Sequence, residues 1–196
     1  MEFFDQQFKA QIKAGDFELN PFETLSLEYL QGRVLDLACG LGNLSLAAGR
    51  RGHPVLAVEI SAAAIHRIRR DAALESLPVV TVEANALEWE GDGEFDTVVC
   101  IGLLMFFRKK DAYRLLQRMT KWVGPAGRII LNVLIEGTDF FDMFKGDQYH
   151  LFKEEQIMAG FGDWELLLAK RDTFPAPHET RKEFLTLVLQ RAVSQR

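Results

Sequence analysis

The chain has 196 residues, 48% of them hydrophobic and 26% charged, which is the balance of a globular protein long enough to bury its own core. Its net charge of −5 argues against a surface that neutralises nucleic-acid phosphates, and its apolar runs are too short to cross a bilayer. The two cysteines, Cys39 and Cys100, do not form a disulfide framework, and the first residues lack a signal-peptide pattern. We therefore expect a cytoplasmic protein that does not act on nucleic acid or on a membrane.

Helical patterns open the chain, and apolar runs then alternate with further helical patterns. Residues 3–12 and 22–30 are expected to form one or two helices packed over an end of the sheet. Helices are also predicted at 44–52, after the N-cap Ser61, and at 111–123. Buried strands are predicted at residues 33–37, 55–59, 79–82, 95–101 and 128–135. Continuous apolar strands that alternate with helices are typical of a parallel sheet covered on both faces.

The last third of the chain has a different pattern. A short helix is predicted at residues 153–160 and strands at 164–169 and 184–189. The 14 residues 170–183 between these strands are many for a hairpin loop, and we predict that the loop is functional. Residues 137–151 are rich in aromatic side chains and follow the fifth strand. Our hypothesis is a lid over the substrate, and a helix packed on the sheet is the alternative.

Together these patterns predict an α/β fold in a single domain, residues 1–196. A helical segment (1–32) is followed by a cofactor-binding core (33–136) and a substrate-side segment (137–196). We expect a doubly wound, mostly parallel seven-stranded sheet with helices on both faces and an antiparallel last strand.

A glycine-rich turn follows the first predicted strand. Gly40 and Gly42 allow a ligand to approach the backbone at the carboxyl end of the sheet, where open α/β sheets bind ligands. An acid, Asp36, precedes the glycines, and a second acid, Glu59, closes the next strand 23 residues later. A carboxylate at that second position can accept hydrogen bonds from both hydroxyls of a ribose.

The segment from Asp36 to Gly42, together with Glu59, resembles the cofactor motifs of class I methyltransferases, which use S-adenosylmethionine and release S-adenosylhomocysteine. The resemblance extends over residues 33–135. It implies that Asp36 lies near the cofactor's ammonium, Glu59 on its ribose, and Ile60 on its adenine. An asparagine, Asn85, stands where the family usually has an acid. The cofactor-binding residues implied are Asp36, Ala38, Gly40, Gly42, Asn43, Glu59, Ile60, Asn85, Ala86 and Cys100.

Two other interpretations of the glycine turn stay open. One is an NAD-binding Rossmann domain, which needs a small residue at position 45 for close helix packing and prefers no acid before the first glycine. This chain has Ser45 at the first of these places and the acid Asp36 at the second. The chain is also too short for a separate substrate domain. A protein that binds S-adenosylmethionine without turnover, as a sensor or a partner subunit, is equally compatible with the motif.

The residues after the fourth strand bear on the methyl acceptor. Residues 102–107 are apolar and contain neither the Asn- or Asp-Pro-Pro-Tyr of related amino-methyltransferases nor a Pro-Cys nucleophile. This favours a small or soft acceptor over a nucleic acid, although the same residues are also suited to the core. None of the histidines His53, His66 and His150 has an acidic or cysteine partner at the spacing of metal ligands, so no metal site is predicted. We interpret the cluster Arg67, Arg69 and Arg70 as a solvated helix face.

The downstream half resembles the tellurite-resistance methyltransferase family, whose members methylate chalcogen oxyanions or thiol-like compounds. The resemblance lies in residues 104–107, 124–127, 152–157 and 163–165, and in His178 followed by Arg181 before the last strand. It implies that Arg181 holds an anionic acceptor and that His178 orients or deprotonates it. A surface loop with a solvated His178 and Arg181 is the alternative. A monomer or a homodimer is expected.

Overall fold

A computed structural model describes residues 2–15, 17–91, 93–144, 146 and 148–192. The helices within these residues are α1 (Glu2–Ala14), α2 (Pro21–Leu27), α3 (Asn43–Arg50), α4 (Ala62–Leu74), α5 (Lys109–Trp122) and α6 (Glu154–Met158). Short 3-10 helices lie at Leu104–Phe106 and Ala159–Phe161. The strands are β1 (Val34–Leu37), β2 (Val55–Glu59), β3 (Val79–Glu83), β4 (Phe95–Ile101), β5 (Val123–Leu134), β6 (Trp164–Pro175) and β7 (Arg181–Arg191).

The seven strands form one sheet in the order β3-β2-β1-β4-β5-β7-β6. The first five run parallel, whereas β7 is antiparallel to both of its neighbours, β5 and β6. The predicted doubly wound, mostly parallel sheet with an antiparallel last strand is confirmed. The carboxyl ends of β1, β2 and β4 consequently meet at one edge, and that edge carries the candidate site.

Each face of the sheet has its own core because side chains alternate along a strand. Val34 packs with α2, α3 and α4 on one face, while Leu35 and Leu37 pack with α5 and α6 on the other. Val34, Leu35 and Leu37 themselves are completely buried. Since Asp36 follows the same alternation as Val34, its carboxylate points toward α3.

The structure extends three of the predicted strands, β5, β6 and β7. Regular pairing of β5 with β4 begins at Arg128 as predicted, but the strand itself starts at Val123, and the pairing register shifts across the residues between. The hairpin strands β6 and β7 are longer still, so the predicted 14-residue loop shrinks to the turn 176–180. The described residues of 137–151 form no helix. None of the described helices combines the length and apolarity that crossing a bilayer requires.

Candidate functional site

The turn after β1 has a tightly constrained backbone. Ala38, Gly40 and Gly42 all have positive φ angles, of 58°, 55° and 75°. A side chain on Gly42 would place its Cβ 2.4 Å from Cγ1 of Ile68 in α4, so only glycine fits at this position. Gly42 also caps α3, because its carbonyl accepts the amide of Leu46. The second glycine is therefore needed for helix packing as well as for ligand access.

Glu59 is fixed at the end of β2 by three backbone amides. Its Oε2 accepts the amide of Gly40 at 3.0 Å, and its Oε1 accepts the amides of Ile60 and Ser61 at 2.9 and 3.0 Å. Two carboxylate oxygens have about four acceptor positions, so about one stays available to a ligand hydroxyl. Glu59 is 6% exposed, while Ile60 beside it is 40% exposed. A carboxylate beside an uncovered apolar side chain suits a ribose next to an adenine.

Asp36 lies buried below the turn, 4% exposed. Its Oδ2 accepts the hydroxyl of Ser45 at 2.6 Å. Burial raises the pKa of Asp36 to about 7, and the nearby charges of Glu23 and Glu59 add to this effect against the Ser45 hydrogen bond. A cation bound beside Asp36 would favour the ionised carboxylate.

Four other predicted cofactor residues have side chains that are buried or in contact with the protein. The side chain of Asn43 contacts protein on both sides: Oδ1 accepts from Arg67 at 2.6 Å, and Nδ2 donates to the Glu18 carbonyl at 3.2 Å. Cys100 is completely buried among core side chains, which closes its thiol to a ligand. Asn85 stabilises its own loop, because its Oδ1 accepts the amide of Leu87 at 3.0 Å, and Ala86 next to it is buried.

The predicted apolar wall after β4 divides into two parts. Leu104 and Met105 are buried in the core, whereas Leu103, Phe106 and Phe107 are half-buried. Beside them lies an open cleft of about 270 Å³ lined by Leu87, Phe106, Phe107, Arg108, Asp111 and Gln148. Leu104 and Met105 thus belong to the core, while Leu103, Phe106 and Phe107 stay candidates for an apolar wall of the acceptor site.

The hairpin of β6 and β7 carries His178 and Arg181. Phe184 of β7 is opposite Leu134, the last residue of β5, so the hairpin continues past the end of that strand. His178 is exposed in the turn, with a positive φ of 61°. Arg181 is exposed, and its Nε lies 3.1 Å from Oε1 of Glu183 and 3.5 Å from the Gly137 carbonyl.

Two charged residues near the turn were not predicted as part of the site. Arg67 was interpreted as part of a solvated face, and this prediction is wrong for it: its side chain is 6% exposed and contacts the Leu41 carbonyl. Glu23 in α2 is the second. Its Oε2 accepts the Asn20 amide at 2.8 Å, and burial raises the pKa of its carboxyl. Within the described residues no cluster of His, Cys, Asp and Glu is suited to a metal ion.

The sequence of the chain is similar to those of known proteins. Residues 34–127 match the family model described as a methyltransferase domain. Hemagglutinin 1 of Eikenella corrodens is 31% identical over 140 residues, which are 69% of this chain and 44% of that protein. The chain spans less than half the length of the first curated relatives that it matches.

Solved structures share the fold at low sequence identity. TehB from Haemophilus influenzae superposes with a TM-score of 0.78 at 16% identity, over 92% of this chain and 65% of that one. Magnesium protoporphyrin IX methyltransferase from Synechocystis PCC 6803, crystallised with bound S-adenosylmethionine, gives 0.61 at 16% identity, over 97% and 79%.

The site fits S-adenosylmethionine, which carries a positive sulfonium, a positive ammonium and a ribose. Asp36 and Glu59 supply negative charge and acceptor oxygens around the glycine turn, and Ile60 supplies an apolar surface. By their family match, residues 34–127 are a methyltransferase domain, and the described chain has the fold of solved methyltransferases that bind S-adenosylmethionine.

Proposed function

We propose that this domain transfers a methyl group to a small-molecule acceptor, and that the acceptor is a chalcogen oxyanion or a thiol. The observation that carries the proposal is the hairpin turn 176–180, which stands beyond the end of β5, with His178 in the turn and Arg181 directly after it. The resemblance of the downstream half to the tellurite-resistance family supports the same assignment. The proposal includes a cytoplasmic monomer or homodimer that does not modify nucleic acid.

The cofactor residues are proposed to have the roles that the resemblance implies. Asp36 is assigned to the ammonium, Glu59 to a hydroxyl of the ribose, and Ile60, Asn85 and Ala86 to the adenine. The backbone at Ala38, Gly40 and Gly42 is assigned to the methionine portion. Asn43 and Cys100 are assigned no side-chain contact with the cofactor, because both side chains are taken up by the protein.

Arg181 is held in place by the segment that follows β5. Its backbone amide donates to Oδ1 of Asp139 at 2.5 Å, and its carbonyl accepts the Asp139 amide at 3.1 Å. Among the described residues, the polar contacts of its guanidinium all involve Nε. The two terminal nitrogens are thus suited to a bidentate contact with an oxyanion, for which a planar guanidinium is well shaped.

The chemistry needs orientation more than acid–base catalysis. S-adenosylmethionine supplies a methyl carbon that is already activated by a sulfonium. A lone pair of the acceptor forms the new bond to that carbon as the carbon–sulfur bond breaks, and the bonding electrons return to sulfur. An anionic acceptor loses no proton, so Arg181 only has to hold it in line. A thiol must lose its proton, and His178 is proposed to accept it.

Calorimetric titration with S-adenosylhomocysteine, with NAD as a parallel control, is the first experiment. We expect micromolar binding of the first ligand and none of the second. Methyl transfer from labelled S-adenosylmethionine to tellurite, selenite and small thiols is then measured. Binding of S-adenosylhomocysteine without uptake by any of these acceptors would favour the sensor or partner-subunit alternative.

The hairpin assignment is tested by Arg181→Met, with Arg171→Met as the matched control. Arg171 is an exposed arginine of the same hairpin that pairs with Glu154. Loss of a hydrogen bond to a charged group costs about 1.5–3 kcal/mol, so we expect kcat/KM for the oxyanion to fall by about 10- to 150-fold in Arg181→Met alone. Equal activity of the two variants would contradict the role of Arg181.

A further inference from the structure

Arg67 places a buried cation next to the glycine turn. Its Nη1 donates to the carbonyl of Leu41 at 2.6 Å and to Oδ1 of Asn43 at 2.6 Å, while its Nε donates to Oδ2 of Asp71 at 3.1 Å. Leu41 stands between Gly40 and Gly42, so the guanidinium contacts the turn at its centre. Because Asp71 is in α4 like Arg67 itself, these contacts join the turn rigidly to that helix.

The N-terminal segment reaches the same guanidinium. The ring of Phe17 lies 3.8 Å from Cζ of Arg67, and the carbonyl of Glu18 accepts Nδ2 of Asn43 at 3.2 Å. Farther back in α1, the ring of Phe8 lies 3.3 Å from the position of a Cβ on Gly40. Phe17 and Glu18, which lie between α1 and α2, therefore contact Arg67 and its acceptor Asn43 beside the glycine turn.

The other arginines of α4 make different contacts. Arg69 and Arg70 are exposed and contact Thr81 and Asp71 at the surface. Burying a charge is costly unless it is fully paired, and an apolar side chain in its place often stabilises a protein as well. An arginine at position 67 instead offers several donors in a fixed fork, which matches acceptors that lie in different directions. We therefore attribute the arginine at position 67 to the directions of its hydrogen bonds and not to a gain in stability.

We infer that Arg67 is a positioning residue for the cofactor. It holds the glycine turn in its ligand-binding shape and fastens the N-terminal segment over that turn. The inference goes beyond the proposed function, because it concerns cofactor affinity and does not depend on the identity of the acceptor.

The test compares Arg67→Met with Arg69→Met as the matched control. Removing the charged hydrogen bonds to the turn is expected to weaken S-adenosylhomocysteine binding by about 10- to 100-fold in Arg67→Met, and by less than about twofold in Arg69→Met. Amide hydrogen exchange of the ligand-free variants is the second measurement. Exchange should accelerate at residues 17–19 and 40–43 in Arg67→Met and stay unchanged in β4 and β5.

Two outcomes would overturn the inference. One is wild-type affinity in Arg67→Met, and the other is exchange that accelerates equally throughout the sheet, which would indicate a general loss of stability.

Arg67→Lys keeps the buried charge and serves if the methionine variant does not fold. Lysine reaches fewer of the acceptors, so we expect an intermediate affinity, and full affinity in this variant would contradict the need for the fork. Failure of the wild type to bind S-adenosylhomocysteine would instead disprove the cofactor assignment, while the exchange measurement would still test Arg67.

Discussion

At the scale of single residues, Glu59 has more functions than a ribose contact requires. Its carboxylate joins the amide of Gly40, from the turn after β1, to the amides of Ile60 and Ser61, which lead into α4. These three amides lie near the glycine turn and share this carboxylate as an acceptor. Glu59 therefore organises the backbone before any ligand arrives, in agreement with the preorganisation that binding sites need.

The variant Glu59→Ala should weaken S-adenosylhomocysteine binding by about 10- to 150-fold, since hydrogen bonds to a charged group contribute about 1.5–3 kcal/mol. Glu83→Ala is the matched control, because Glu83 pairs in register with Glu59 on β3 and is exposed. Titration calorimetry measures both. An unchanged affinity in Glu59→Ala would disprove the ribose assignment.

Asp36 predicts a dependence on pH. Its pKa is about 7 in the folded protein, above its ordinary value of 3.8, so the folded state favours the protonated carboxyl. Its contribution to stability is complete below pH 4 and is lost as the pH rises to about 7. The free energies of unfolding of wild type and Asp36→Asn should be similar at pH 4, and the variant should be the more stable protein at pH 8.

Under the proposed contact of Asp36 with the cofactor's ammonium, we expect cofactor binding to depend on the protonation of this carboxyl. Because the ammonium favours ionised Asp36, S-adenosylhomocysteine should bind more tightly at pH 7.5 than at pH 5.5, and binding at pH 6 should release protons in calorimetry with buffers of different ionisation enthalpy. Asp36→Asn should show weaker binding without this release. Equal proton release in the variant would assign it to another group.

At the scale of elements, the segment 137–151 is fixed at both ends. Near its start, the Thr138 hydroxyl donates to the Glu183 carbonyl and accepts the Glu183 amide. Near its end, the His150 amide donates to the Met105 carbonyl at 3.0 Å. Between these points Phe144 stacks on Tyr149 with ring centroids 4.6 Å apart. Fixed ends around an aromatic middle are suited to a local closing movement.

Limited proteolysis tests this lid hypothesis. Chymotrypsin should cut at the exposed Phe141 and its neighbours, and S-adenosylhomocysteine together with an acceptor should slow the cutting at least severalfold. Cleavage near Leu74 at the exposed end of α4 serves as the internal control and should not change. Equal rates within the segment with and without ligands would disprove the lid.

At the scale of the whole molecule, the parallel core was predictable because its strands are continuous apolar runs. The predicted limits of β2 and β4 agree with the structure, since β2 follows Pro54 and ends in Glu59, and β4 lies between Glu94 and Gly102. The hairpin was harder to predict. β6 is an edge strand with many exposed positions, and it ends in Pro175, which an edge strand tolerates but which is not typical of strands in general.

The candidate site was predicted where it depends on residue type and missed where it depends on backbone acceptors. The glycines and the two acids were visible as a motif, whereas Arg67 contacts a carbonyl that no sequence pattern marks. One signal was present: Arg67 lies three residues after Ala64 and four before Asp71, on the edge of the buried stripe of α4.

The hairpin turn 176–180 has a consequence for how such a protein diverges. It lies outside the pairing that holds the glycine turn, because β7 and β6 are added to the far side of β5. Under the proposed acceptor role, substitutions in the turn are screened by selection on the acceptor, with little effect on whether the parallel core folds. On that proposal, a lineage can exchange one acceptor for another there while it inherits the use of the same methyl donor unchanged.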